Sequence, residues 1–133
     1  MDHSQIRVLV VDDESAIRAS LAGYFEDYEF DVSSAGSAEE ALEMLEKESF
    51  HVAIIDLRLP GMSGDALILK AHRMFPSMRF LVHTGSAAYH LPVELTESGV
   101  KQNHIFLKPL ADMTLMVEAV EELMNEKNGG HPG

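Results

Sequence analysis

Five short apolar runs, each leading into a helical pattern, constrain this chain more than any other feature. The first, Ile6-Arg7-Val8-Leu9-Val10-Val11, is β-branched and almost wholly apolar, as a strand covered on both faces must be. Val52-Ala53-Ile54-Ile55 repeats the type, and Phe30 to Ser34, Phe80-Leu81-Val82-His83 and His104-Ile105-Phe106-Leu107 are further strand candidates. Between them the apolar period lengthens to that of a helix. Ile17, Leu21 and Phe25 form one stripe, Ala41, Leu42 and Leu45 a second, and Leu67, Ile68, Ala71, Met74 and Phe75 a third that Pro76 stops. Ser37-Ala38-Glu39-Glu40 has capping-box spacing before the second stripe. Asp112 is placed to cap a last helix with Met113, Met116, Val117, Val120, Leu123 and Met124 on one side. Strand-helix alternation of this kind predicts an α/β fold: a parallel sheet with helices on both faces.

The stretch from Thr84 to Gln102 is the least regular. Leu91, Val93 and Leu95 suggest a short helix, with Pro92 in its first turn and Gly99 ending it. The polar, Gly/Pro-rich residues 127–133 read as a tail or the start of a linker after a domain spanning 1–126. At 133 residues with 46% hydrophobic content, one globular domain is predicted rather than an acidic disordered segment. With no cysteine there is no disulfide framework, thiolate zinc site or cysteine nucleophile. Neither a membrane-spanning run nor a signal sequence is visible, which predicts a cytoplasmic protein without membrane contact. The formal net charge of -12 opposes direct binding to nucleic acid, because phosphates are repelled.

In parallel α/β sheets, ligands sit beyond the carboxyl ends of the strands. That rule gathers Asp12-Asp13, Asp56, Thr84 and Lys108-Pro109 at one edge. Crowded carboxylates repel unless a cation joins them, and an oxygen-only set suits a hard ion such as Mg²⁺. A carboxylate beside such an ion is a competent nucleophile toward a phosphoryl group, with Lys108 and Thr84 placed to neutralise its oxygens.

These residues, in this order, resemble the receiver domain of bacterial two-component response regulators, the chemotaxis-regulator type included. The motifs are Asp12-Asp13, Asp56, the loop Pro60-Gly61-Met62-Ser63-Gly64, Thr84-Gly85 and Phe106-Leu107-Lys108-Pro109, and they cover nearly the whole chain. The resemblance implies a flavodoxin-like doubly wound (βα)5 fold with a five-stranded parallel sheet of order 2-1-3-4-5. It implies that Asp56 is the phosphoacceptor, served by a sensor histidine kinase or a phosphotransfer protein. Mg²⁺ (or Mn²⁺) would be held by Asp13 and Asp56 directly, by Asp12 through water and by the backbone carbonyl of Arg58. Lys108 would pair with the phosphoryl oxygens, Gly85 would keep the approach open, and Pro109 would follow a cis bond. Thr84 and Phe106 would form the switch pair that reshapes a face for a downstream target protein. Side chains at Arg58 and Ser86 would tune how fast water removes the phosphoryl group, with Arg58 shielding it.

The chain is thus expected to act as a signalling module, not an enzyme that turns over a metabolite. A phosphatase of the haloacid dehalogenase type would need an acid where Arg58 stands. A flavin-binding flavodoxin would not place Asp12-Asp13 where a phosphate must sit. A phosphorylation-independent adapter would have no use for the intact acidic set. A stand-alone receiver is favoured over the N-terminal fragment of a larger regulator whose effector is absent. The seven histidines read as surface or strand-end residues, and Glu39, Glu40, Glu43 and Glu46 as a solvated helix face.

Overall fold

The computed structural model describes residues 3–85 and 93–129, with side chains to 125. Five parallel strands form one sheet: β1 (Arg7–Val11), β2 (Asp31–Ala35), β3 (Val52–Ile55), β4 (Arg79–Thr84) and β5 (Ile105–Leu107). Their order is β2-β1-β3-β4-β5, as the resemblance implied. Five helices connect and close them: α1 (Ser15–Asp27), α2 (Ala38–Lys47), α3 (Gly64–Met74), α4 (Val93–Thr96) and α5 (Thr114–Gly129).

Side-chain alternation along each strand divides the interior into two layers. Leu9, Val11, Ala53, Ile55, Phe80 and Val82 face α2 and α3, where Ala41, Leu45, Leu67 and Ile68 meet them. Val8, Val10, Val52, Ile54 and Leu81 face the other way, onto Leu21 and Phe25 of α1 and Met116, Val120 and Leu123 of α5. Every residue of β3 is buried, which explains why its sequence shows no polar alternation. The chain leaves β1 for β2 on one side and then returns to β3 on the other. The switch point therefore lies between the carboxyl ends of β1 and β3, where a crevice opens.

Several local expectations shift. Ser37 Oγ accepts a hydrogen bond from the Glu40 N–H, but the Glu40 carboxylate accepts from the Gly36 N–H rather than closing a reciprocal box. Met74 lies on the exposed side of α3. The fourth helix is a single turn in which Leu95 is buried and Val93 is 73% exposed, and Gly99 ends the segment at φ +91°. Leu91, Pro92 and Ser86 fall outside the described residues. The helix α5 runs to Gly129, past the start of the expected tail at 127. Among the described residues, no helix is long and apolar enough to cross a membrane.

Candidate phosphoacceptor site

The register of the sheet builds this site. Val11 pairs with Ile55, and Ile55 with Val82. One residue further along, Asp12, Asp56 and His83 line up across the sheet, and His83 pairs with Phe106 of β5. The Asp56 N–H donates to the Val11 carbonyl at 3.0 Å, which fixes the two acids at the same height. Asp12 is 1% exposed and Asp56 5%, whereas Asp13 points to solvent. Oxygens of Asp12, Asp13 and Asp56 all lie within 4.8 Å of one another.

Lys108 reaches this cluster from the end of β5. Its Nζ is 2.9 Å from Asp12 Oδ2, 3.0 Å from Asp56 Oδ2 and 3.2 Å from Glu14 Oε1. Burial alone would lower the proton affinity of Lys108. Hydrogen bonds to Asp12 and Asp56 outweigh it, and the ammonium is held above the usual lysine range. Two buried carboxylates thus flank one cation, and Asp13 adds a third at the mouth. Net negative charge on hard oxygen donors is what a divalent ion of the Mg²⁺ class requires.

The surrounding backbone holds these groups in place. The Glu14 N–H donates to Asp12 Oδ1 at 2.9 Å, and Arg18 Nη1 donates to the Asp12 carbonyl at 2.7 Å. Asp56 Oδ1 accepts from the Arg58 N–H at 3.0 Å, while the Arg58 side chain stands in solvent. The Lys108 N–H donates to the Thr84 carbonyl at 2.8 Å, and the Lys108-Pro109 bond is cis. Gly64, the first residue of α3, packs on the acid itself. A Cβ added there would fall 2.3 Å from the Asp56 carbonyl oxygen and 2.7 Å from Leu57 Cα.

Two contributors escaped the sequence reading. Glu14 shares Lys108, and its place in the run Asp12-Asp13-Glu14 was the only signal for it. Glu39, read as part of a solvated face, accepts from the Met62 N–H at 3.1 Å and ties α2 to the loop after Asp56. The same loop turns at Gly61, whose φ of +76° suits glycine.

One pairing is corrected. Thr84 is fully buried and lies two residues beyond Val82, on the sheet face that packs against α2 and α3. Phe106 packs with the α1 and α5 layer, on the opposite face. The residue of β5 on the Thr84 face is Ile105, which packs against that layer. Choosing Phe106 for its ring ignored the pleat, where adjacent residues point to opposite sides. The histidines also need revision, because His3, His83 and His104 are buried. Burial and the neighbouring Lys108 lower the proton affinity of His83, against a weaker upward pull from Asp12 and Asp56.

Comparison with known proteins agrees with this geometry. The family model of the response regulator receiver domain matches residues 8–121. The uncharacterized transcriptional regulatory protein YesN of Bacillus subtilis is 32% identical over 123 residues, covering 90% of this chain and 33% of that protein. A response regulator receiver domain protein (CheY-like) from Methanospirillum hungatei superposes with a TM-score of 0.83 at 32% identity, over 92% of this chain and 96% of that one. Response regulator TrrA of Thermotoga maritima, solved in complex with Mg(2+)-BeF, shares the fold with a TM-score of 0.77 at 22% identity. It covers 90% of this chain and 99% of that one. The chain belongs to the response regulator receiver domain family. It is a receiver domain of the two-component signalling type, and it spans about a third of the length of YesN.

Proposed function

We propose that Asp56 is the phosphoacceptor of this receiver. The observation that carries this is the convergence of Asp12, Asp13 and Asp56 within 4.8 Å, with one ammonium shared by Asp12 and Asp56. A carboxylate oxygen of Asp56 attacks phosphorus, and the bond to the donor breaks. For a phosphohistidine donor, the P–N bond electrons return to the imidazole. Asp12, Asp13 and Asp56 with the Arg58 carbonyl are the residues that would hold Mg²⁺ or Mn²⁺, whose charge neutralises the transferring group. Lys108, already on Asp56, would follow the phosphoryl oxygens, and Thr84 would donate to one of them. The donor set and the Mg(2+)-BeF found on TrrA both support this ion class.

The phosphoryl group would come from a sensor histidine kinase or phosphotransfer protein in the cytoplasm and would change how the β5 and α5 side meets a downstream target. The module acts on itself and turns over no metabolite. We assign the receiver to residues 1–126, with residues 127–133 as a tail or the start of a linker. The greater length of YesN supports a second reading, in which the same sequence is the N-terminal input module of a longer regulator. An immunoblot of the endogenous protein separates the two, since a stand-alone receiver runs at 14.7 kDa.

The decisive test uses a labelled small acyl-phosphate donor with Mg²⁺. Wild type should take up label and Asp56→Asn should not, and chelating the metal should abolish uptake. Label retained by Asp56→Asn would refute the assignment.

A further inference from the structure

The row of residues across the sheet top contains one group the phosphoacceptor chemistry leaves unused. His83 is 5% exposed, and neither ring nitrogen has a hydrogen-bond partner among the described residues. Leaving polar atoms buried and unpaired is unfavourable, so such a group points to a partner from outside. The ring lines a cavity of about 510 Å³ between α1 and the segment that follows β5. That volume lies within the range of small-molecule sites, ~300–1,000 Å³.

The walls define the occupant. Ile17 and Leu21 of α1 line one side, and Leu110 and Met113 the other. Apolar side chains with a methionine thioether favour an aromatic ring. The Lys108 ammonium at the rim is already shared among Asp12, Asp56 and Glu14, and the excess of carboxylates there repels an anion. An anion therefore gains no free counter-charge in this cavity. A neutral imidazole presents one donor and one acceptor nitrogen, and a hydroxyl complements either tautomer.

We propose that this cavity is a binding site for an uncharged aromatic alcohol of the phenol class, whose ring lies between Ile17 and Met113 and whose hydroxyl bonds His83. The cavity borders the Asp56 cluster through Lys108 but is not lined by Asp56, and the proposal stands whether or not Asp56 accepts a phosphoryl group.

The test uses phenol and its isostere toluene as probes of the intact chain. Backbone amides of Ile17, Leu110 and Met113 and the His83 ring nitrogens are followed by NMR through a titration. Phenol should give saturable shifts, and toluene should bind about tenfold or more weakly, because it leaves the imidazole unpaired. His83→Leu should reverse that preference while keeping a cooperative melt. Ile17→Trp, which fills the cavity and leaves His83 in place, should abolish phenol binding. Shifts that never saturate overturn the proposal. So does a phenol-to-toluene ratio that His83→Leu leaves unchanged.

Discussion

The centre of the sheet and its β5 edge are built to different standards. At the centre, β1 and β3 are covered on both faces, and their ends hold Asp12 and Asp56 at one height through backbone hydrogen bonds. At the edge, β5 has three residues, Leu107 is 43% exposed, and the preceding α4 is one turn long. Phosphoryl transfer depends on placement within fractions of an ångström, and the acids proposed to carry it sit where packing permits least movement. A surface that must change shape is better drawn from elements with few buried contacts.

This contrast can be broken by substitution. The largest difference is expected in stability. Ile54→Ala should cost about 2–5 kcal/mol in a urea melt, whereas Leu107→Ala, at an exposed edge position, should stay within about 0.5 kcal/mol. Equal losses would show the edge to be as tightly built as the centre. A smaller effect is expected in kinetics. If Arg58, two residues beyond Asp56, shields the acyl phosphate from water, Arg58→Ala should lose label severalfold faster than wild type. An unchanged rate would remove Arg58 from any shielding role.

The pH dependence of stability probes the centre again, through His83. Its folded proton affinity lies below the ordinary value of 6.5, so the unfolded chain binds more protons as the medium is acidified. The contribution of His83 is therefore complete above pH 6.5 and is lost as pH falls through the folded value. His83→Leu should flatten the fall in stability as the pH drops below 6.5, and an equally steep slope would assign the dependence to other groups. The smallest effect belongs to the edge. Phe106→Leu, on the face away from Thr84, should leave phosphorylation by a small donor unchanged, whereas a marked loss would couple the two faces.

The sequence revealed the acids and the lysine because each follows an apolar run, and a parallel sheet sends every such end to the same side. Sheet order was not legible in that way. It came from the resemblance, since nothing in a strand's composition names its neighbour. Phe106 was misread because a conspicuous ring outweighed the strand's alternation, which favoured Ile105. Glu39 and Glu14 were invisible as tethers, because what they reach is set by tertiary folding. His83 was noticed only for preceding Thr84. That a polar ring in this place is buried without a partner among the described residues becomes visible only when the sheet and its two covering helices are assembled.

Gly64 has a consequence for how the family member can change over generations. The acid's own carbonyl occupies the space that any side chain at this residue would need. Every amino-acid replacement there adds a Cβ, so no single substitution is a small step. The loop before it carries milder limits of its own, at Gly61 with its positive φ and at Ser63, whose hydroxyl caps α3. Gly64 has no neighbouring genotype that leaves Asp56 where it is, and drift in this chain halts at the threshold of α3.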